Sequence, residues 1–329
     1  MVGGVGFSLG VIEDGTLLGW GDNFHGQLNV PAGTFRAVAA GDGHGVALRT
    51  DGTLEAWGLN VVGQAVAPAG TYTAIASCFF HNIAIRADST LVGWGYNMYG
   101  QTNVPTGTFR AIATGDHHGI GVRTDGTLAH WGRDAHGLSN VPTGQFTAVA
   151  AGTDFSLALR TDGTLVGWGY NNFGQASVPS GTFIGIAAGA NFGLGLRSDG
   201  QLVGWGRNNS GQAQPPAGTF TFVAAGYNHG LAIVPAPGSL VCGGLVMASL
   251  LRRPRRSGAQ RYRSETREVI WRAFFGTAGG LWPVYCFVVA ERVSLHNRHL
   301  SSAGVETTMD RRRCPPATSS VWGREAITV

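Results

Sequence analysis

The sequence predicts an all-β chain, a β-propeller of four-stranded blades, on two observations. Tryptophan followed by glycine recurs at Trp20, Trp57, Trp94, Trp131, Trp168 and Trp205, and every interval is 37 residues. A period this strict is one supersecondary unit copied along the chain. Each unit breaks into four short apolar runs divided by turn residues, which leaves no room for a helix. Stacked four-stranded blades bury the faces that a single blade leaves exposed, as radial repetition requires. A parallel solenoid, the alternative, has shorter repeats with one or two strands in each.

Residues 33–69 justify the elements in order. Phe35 to Ala40 alternates and reads as a first strand, which Gly41-Asp42-Gly43-His44 interrupts. Gly45 to Arg49 is a second apolar run, followed by Thr50-Asp51-Gly52-Thr53; Asp-Gly between two apolar runs is a strong hairpin signal. Leu54 to Trp57 makes the third strand, Asn60 to Gln64 a loop, and Ala65 to Ala67 a short fourth strand. Pro68-Ala69-Gly70 then turns into the next unit. The Asp-Gly turn recurs with one lapse, Asp88-Ser89, and Gly-Gln recurs with one lapse, Gly137-Leu138. There are six Trp-Gly halves but seven Gly-x-x-(His/Phe) halves if Gly4 to Phe7 counts. Seven blade positions with one incomplete are therefore expected, six blades being the alternative. Met1 falls inside a first strand, so the rest of that blade and an export signal are expected upstream.

With strands A to D in order, the A–B and C–D loops share one face and the B–C and D–A turns share the other. The turns are nearly constant and serve backbone geometry. The loop tips change from unit to unit, and a constant frame with varied tips is how a scaffold presents a recognition surface. The tips carry aromatic, His, Asn and Asp side chains, which anchor and orient protein contacts. The candidate partner-binding residues are Phe24, His25, Asp42, Phe79, Phe80, Met98, Tyr99, Asp116, His117, His136, Asp154, Asn172, Phe173, Asn191, Tyr227 and Asn228. The closing residue of each A–B loop, always His or Phe (His44, His81, His118, Phe155, Phe192, His229), reads as structural, as do the six repeat tryptophans.

Charge divides the chain. The repeats through Val234 hold nine arginines against thirteen acids, a net of −4, whereas the rest carries +8. No basic cluster exists on the repeats, so neither nucleic acid nor nucleotide is an expected partner. Cys78, Cys242, Cys286 and Cys314 have neither disulfide nor metal spacing. Cys78 stands where other units place Gly41, Gly115, Gly152, Gly189 and Gly226, and reads as incidental. The histidines occupy one position per blade, spread around a ring, whereas metal ligands must converge; no metal and no cofactor is expected. Asp42, Asp116 and Asp154 sit on different blades and read as solvated loop acids. No catalytic motif is present, and the expectation is a protein without enzymatic activity.

Units reading Gly-Thr-Phe-Arg-Ala-Val-Ala-Ala-Gly-x-x-His, then Asp-Gly-Thr-Leu-x-x-Trp-Gly-x-Asn-x-x-Gly-Gln, resemble the regulator of chromosome condensation repeat over about residues 2–234. That resemblance implies a seven-bladed propeller. The short units and the Trp-Gly-x-Asn-x-x-Gly-Gln-x-x-Val-Pro stretches from Trp94 and Trp168 look most like the secreted bacterial β-lactamase-inhibitor propellers. The eukaryotic nucleotide exchangers have longer blades and an inserted wedge with no counterpart here, so exchange activity does not carry over.

Past Val234 the register stops. Pro235-Ala236-Pro237, an apolar run from Leu240 to Leu251 and the cluster Arg252-Arg253-Pro254-Arg255-Arg256 resemble the bacterial PEP-type C-terminal sorting signal. Ala236 departs from it, since that family prefers Glu there. The apolar run is shorter than the ~20 residues a membrane span needs, and the arginines after it suit a cytoplasmic side. Three segments are expected: a propeller over 1–234, a sorting segment with transient membrane attachment through 239–251 inside 235–256, and a disordered or non-native tail over 257–329. The functional expectation is an exported bacterial propeller at the cell surface that binds a protein or other macromolecule through its loop face. A structural envelope or matrix component, and an inhibitor of a secreted or periplasmic hydrolase such as a β-lactamase, are the alternatives.

Overall fold

The computed structural model describes Met1–Pro235 together with two later strands, Arg272–Gly276 and Tyr285–Ala290. Six consecutive antiparallel sheets each hold three strands. The first blade comprises Val2–Gly3 (β1), Phe7–Val11 (β2) and Leu17–Gly21 (β3), and the second Phe35–Ala40 (β4), His44–Arg49 (β5) and Leu54–Gly58 (β6). The third holds Tyr72–Cys78 (β7), His81–Arg86 (β8) and Leu91–Gly95 (β9), and the fourth Phe109–Thr114 (β10), His118–Arg123 (β11) and Leu128–Gly132 (β12). Phe146–Ala151 (β13), Phe155–Arg160 (β14) and Leu165–Gly169 (β15) make the fifth; Phe183–Ala188 (β16), Phe192–Arg197 (β17) and Leu202–Gly206 (β18) make the sixth. Phe222–Ala225 (β19) and Gly230–Ile233 (β20) begin the seventh position. Its sheet continues with Arg272–Gly276 (β21) and Tyr285–Ala290 (β22), β22 lying parallel to β20 and antiparallel to β21. Those two strands fall within the stretch set aside above as a tail. The apolar run from Leu240 to Leu251 and the arginine cluster lie outside the described residues.

The ring closes at seven positions, not six. Tyr227 N donates to Gly4 O at 3.3 Å, the Ser8 hydroxyl pairs with His229 Nε2 at 2.9 Å, and Gly3 packs so tightly on Gly226 that a Cβ there would meet its Cα at 2.5 Å.

The expected fourth strand is not a ladder strand in any described blade. Its residues are held instead by local turns, in which Asn29 N donates to Gly26 O, Asn103 N to Gly100 O and Val104 N to Thr102 O. Only two or three residues separate the Gly-Gln turn from the proline that ends the segment, and proline supplies no donor. The segment still packs on its own blade. A Cβ on Gly93 would stand 2.7 Å from Thr102 O, and one on Gly167 2.5 Å from Ala176 O.

Two backbone-level staples join neighbouring blades. On the turn face, Asp51 Oδ1 accepts from Thr53 N and Oγ1, Gly52 adopts φ +90°, and its carbonyl accepts from Tyr72 N of the next blade at 2.8 Å. The same bond runs from Phe109 N to Ser89 O, and Ser89 must hold φ +71° to place it. A side chain in this left-handed region costs roughly 1–2 kcal/mol, partly offset by the larger unfolded-state entropy of glycine. Ser89→Gly is therefore expected to raise stability by about 0.5–1 kcal/mol in denaturant titration; a loss of stability would show that the serine is not strained.

The second staple uses the repeat tryptophans. Each indole Nε1–H from the second blade to the sixth donates to the backbone carbonyl of the Gly-Gln position one blade earlier: Trp57 to Gln27, Trp94 to Gln64, Trp131 to Gln101, Trp168 to Leu138 and Trp205 to Gln175, at 2.9–3.1 Å. Trp131 is 6% exposed and the other five are half-buried. The core lies between blades rather than within them, as in the cluster of Ile83, Ile85 and Leu91 with Phe109 and Trp131.

Candidate functional site

The A–B and C–D loops do share a face: Leu59 N in a C–D loop donates to Gly43 O in the A–B loop of the same blade. The C–D tips are held from within. Asn97 Oδ1 accepts from Thr102 N, and the buried Gln101 Oε1 accepts from Tyr99 N, at 2.9 Å each. Equivalent pairs recur at Asn60 with Gln64 and Asn171 with Gln175. In the fourth blade Leu138 replaces the glutamine, that cap is lost, and His136 sits at φ +58°. The tips are thus pre-organised, which lowers the ordering cost of binding.

Where the seven first strands end, their A–B loops surround one axial pocket of about 90 Å³. Each blade contributes one rim residue: Val5, Asp42, Phe79, Asp116, Thr153, Ala190 and Tyr227. Below the rim the neck is glycine, except for Cys78. Here the expectation of separate, solvated acids is corrected for two of the three. Asp42 and Asp116 line the same pocket, and Asp116 is only 8% exposed. Burial, and then the Asp116 carboxylate, push Asp42 up to about 6, with His25 opposing. Burial also raises Asp116. The third acid, Asp154, pairs with Arg133 at 3.5 Å. Cys78 is not incidental to this site: its Sγ–H reaches Asp116 Oδ1 at 3.5 Å, and burial and the carboxylates push its thiol well up. Strand periodicity hides this convergence, because rim neighbours are 37 residues apart in the chain.

Beside the pocket runs an aromatic cluster on the third and fourth blades. Phe79 packs on Phe80 at 4.2 Å and edge-on to His117 at 5.1 Å, and His117 lies 4.9 Å from Tyr99. Tyr96 joins them, 6.2 Å from Phe79, and its hydroxyl reaches the sulfur of Met98, which is 73% exposed. Arg133 lies over the Tyr99 ring at 5.6 Å. A second group extends the band: His136 on Tyr170, Tyr170 near Phe173, and Arg207 over Phe173. Phe24 (84% exposed) stacks edge-on with His25 on the first blade. Gln175 Nε2 donates to Asn191 at 3.4 Å, while Asn172 and Asn228 stand exposed. Tyr96, Arg133, Tyr170 and Arg207 were missed by sequence reading. All four occupy the variable position after Trp-Gly, and its variability inside a constant motif was the available signal.

Of the histidines that close the A–B loops, His44, His81 and His118 are buried and His229 is half-buried, and all belong to the frame. His44 Nε2 pairs with Asn82 Oδ1 at 2.8 Å, His118 Nε2 with Ser156 Oγ at 3.0 Å, and His229 with Ser8. Each therefore meets a polar residue in the next blade, 38 positions on in the repeat. His81 breaks the pattern. Its counterpart is Gly119, and both of its ring nitrogens lack a partner. Among the described residues no group of three or more His, Cys, Asp or Glu side chains converges as metal ligands would.

This arrangement is a closed seven-position propeller presenting one varied, pre-organised loop face. Three stretches, 35–64, 146–175 and 183–212, match the family described as Regulator of chromosome condensation (RCC1) repeat, so the chain carries RCC1-like repeats. Solved structures similar to it include the ectodomain of the Physcomitrella patens receptor kinase CR4, at 24% identity and TM-score 0.60, over 68% of this chain and 66% of that one. Human WBSCR16 aligns at 19% identity and TM-score 0.60 (70% and 84% covered), and yeast RCC1 (Prp20), solved with Kap60, at 17% and 0.60 (70% and 78% covered). The chain thus spans just under two thirds of the CR4 ectodomain. No curated protein sequence matches it significantly. At these identities the likeness concerns the fold.

Proposed function

We propose that this propeller is a non-enzymatic binding module whose protein partner docks on the A–B and C–D loop face, over the aromatic band of the third to fifth blades. The observation that carries this reading is the contiguous cluster of Phe79, Phe80, Tyr96, Tyr99 and His117 with Met98 exposed above it. Interface anchors are enriched in Tyr, Trp, Phe, Met and Arg on rigid supports, and this band combines them on capped loops. Yeast RCC1, of similar fold, has been solved bound to the protein Kap60. Export to the cell surface, and inhibition of a hydrolase such as a β-lactamase, are narrower forms of the proposal that rest on sequence resemblance.

The test compares partner capture by the unaltered chain with capture by Phe80→Ala/Tyr99→Ala/Phe173→Ala. Anchor truncations cost about 2 kcal/mol or more each, so the triple variant is expected to lose capture while melting within a few degrees of the parent. A control triple on the opposite face, at the exposed Thr34, Thr108 and Thr182, is expected to keep it. Capture surviving the first triple would place the interface elsewhere.

A further inference from the structure

We propose that the axial pocket is a socket for one organic cation, a primary ammonium or guanidinium group, which the docked partner supplies as a lysine or arginine side chain. The source of the cation rests on the docking reading above, but the socket rests on its own geometry. Asp116, nine-tenths buried, is aimed into the pocket, and its only hydrogen bond there in good geometry is the 3.5 Å contact from a thiol, a weak donor. Asp42 faces the same space. Among the described residues no arginine or histidine stands within ion-pair distance of either carboxylate. A buried carboxylate without a countercharge is costly and is ordinarily paired or neutralised.

The rest of the lining suits a cation in particular. Phe79 and Tyr227 line the rim, and aromatic side chains attract cations through their negative faces. Phe79 is held at φ +48°, an uncommon conformation for a bulky residue. The Thr153 hydroxyl is enclosed without a partner in good hydrogen-bonding geometry, yet lies close enough to Asp116 and Tyr227 to offset part of the rise that burial gives both. A pocket of about 90 Å³ has room for an ammonium or guanidinium head.

The groups facing Asp42 are Asp116, His25, Cys78 and Tyr227; those facing Asp116 are Asp42, Cys78, Thr153, His117, Asp154 and Tyr227. Because Asp42 titrates near 6, uptake of a cation is expected to weaken as pH falls through that value.

The experiment titrates the full chain with n-butylguanidinium and n-butylammonium chloride, with butyramide as the neutral isostere, followed by amide chemical shifts. Both cations are expected to give saturable shifts at Asp42, Phe79, Asp116 and Tyr227, and butyramide none. Affinity is expected to drop about tenfold between about pH 7.5 and about pH 5, and to be lost in Asp42→Asn/Asp116→Asn. Asp42→Asn alone, at a half-exposed site, keeps the test available if the double variant fails to fold, and is expected to weaken binding about tenfold. Absence of saturation, or an equal response to butyramide, would overturn the socket. Cation binding combined with unchanged partner capture by the Asn variants would overturn the partner as its source. The docking reading itself would still be judged by the aromatic substitutions alone.

Discussion

Trp131→Ala is expected to destabilise the propeller by about 3–5 kcal/mol, the range for a large aromatic truncated in a core. Its indole is 6% exposed, meets Phe109 edge-on at 6.3 Å and packs with Ile83 and Leu91 from the preceding blade. The substitution also leaves Gln101 O without its 3.0 Å donor. Gly119 lies so close beneath the ring that a Cβ there would fall 2.2 Å from it, so the blade is built around that indole. Relaxation into the void is correspondingly limited. Trp20 is the internal comparison: it is half-buried, and among the described residues its Nε1–H makes no such bond. Trp20→Ala is expected to cost roughly half as much, on the smaller area removed from water. Urea titration of both variants checks this, and equal losses would mean that the blade-to-blade staple contributes little.

The second large effect is acid lability centred on the closing histidines. Burial holds His44 down to about 4 and His81 and His118 down to about 3, against about 6.5 in the unfolded chain. The unfolded state therefore binds more protons between those values. The stability these groups allow is complete above pH 6.5 and is lost progressively as pH falls toward 4 and 3. Each histidine then contributes a loss of about 2 kcal/mol by pH 5. Asp42, raised to about 6 in the folded protein, acts oppositely: it takes up a proton in the folded state first and offsets part of the loss below pH 6. Stability is thus expected to begin falling near pH 6.5, to fall most steeply around pH 5, and to level off as the folded-state histidines themselves titrate toward 4 and 3.

His81→Phe separates the contributions. Elsewhere in the ring a histidine at this position meets Asn82, Ser156 or Ser8, whereas Phe155, Phe192 and Phe7 have glycine 38 positions on, at Gly193, Gly230 and Gly45. His81 alone combines a histidine with a glycine, and both of its nitrogens go unpaired. Removing that buried, unsatisfied ring is expected to add about 1–2 kcal/mol at neutral pH and to flatten the acid limb by one histidine's share. Destabilisation at neutral pH, or an unaltered acid limb, would show that the ring is satisfied in solution.

What the residues determine by themselves is everything repeated within one unit. The 37-residue beat, the Asp-Gly hairpins, the three ladder strands and the sorting of loops onto one face follow from local turn chemistry and period-2 patterning, whose range is a few residues. The lapses were legible too: Asp88-Ser89 became a strained left-handed serine, and Gly137-Leu138 a loop without the glutamine bond, with His136 at φ +58°. Tertiary structure decided what depends on lateral neighbours. Closure at seven positions required Gly3 and Gly226, more than two hundred residues apart, to meet. The fourth segment lost its ladder because turn bonds and a proline use up its backbone. The axial pocket gathers Asp42, Cys78, Asp116 and Tyr227 from four blades, and the aromatic band draws Tyr96 and Tyr170 out of the constant motif. In a propeller the residue alongside is one repeat away, so side chains that meet at the axis carry no local signal of meeting.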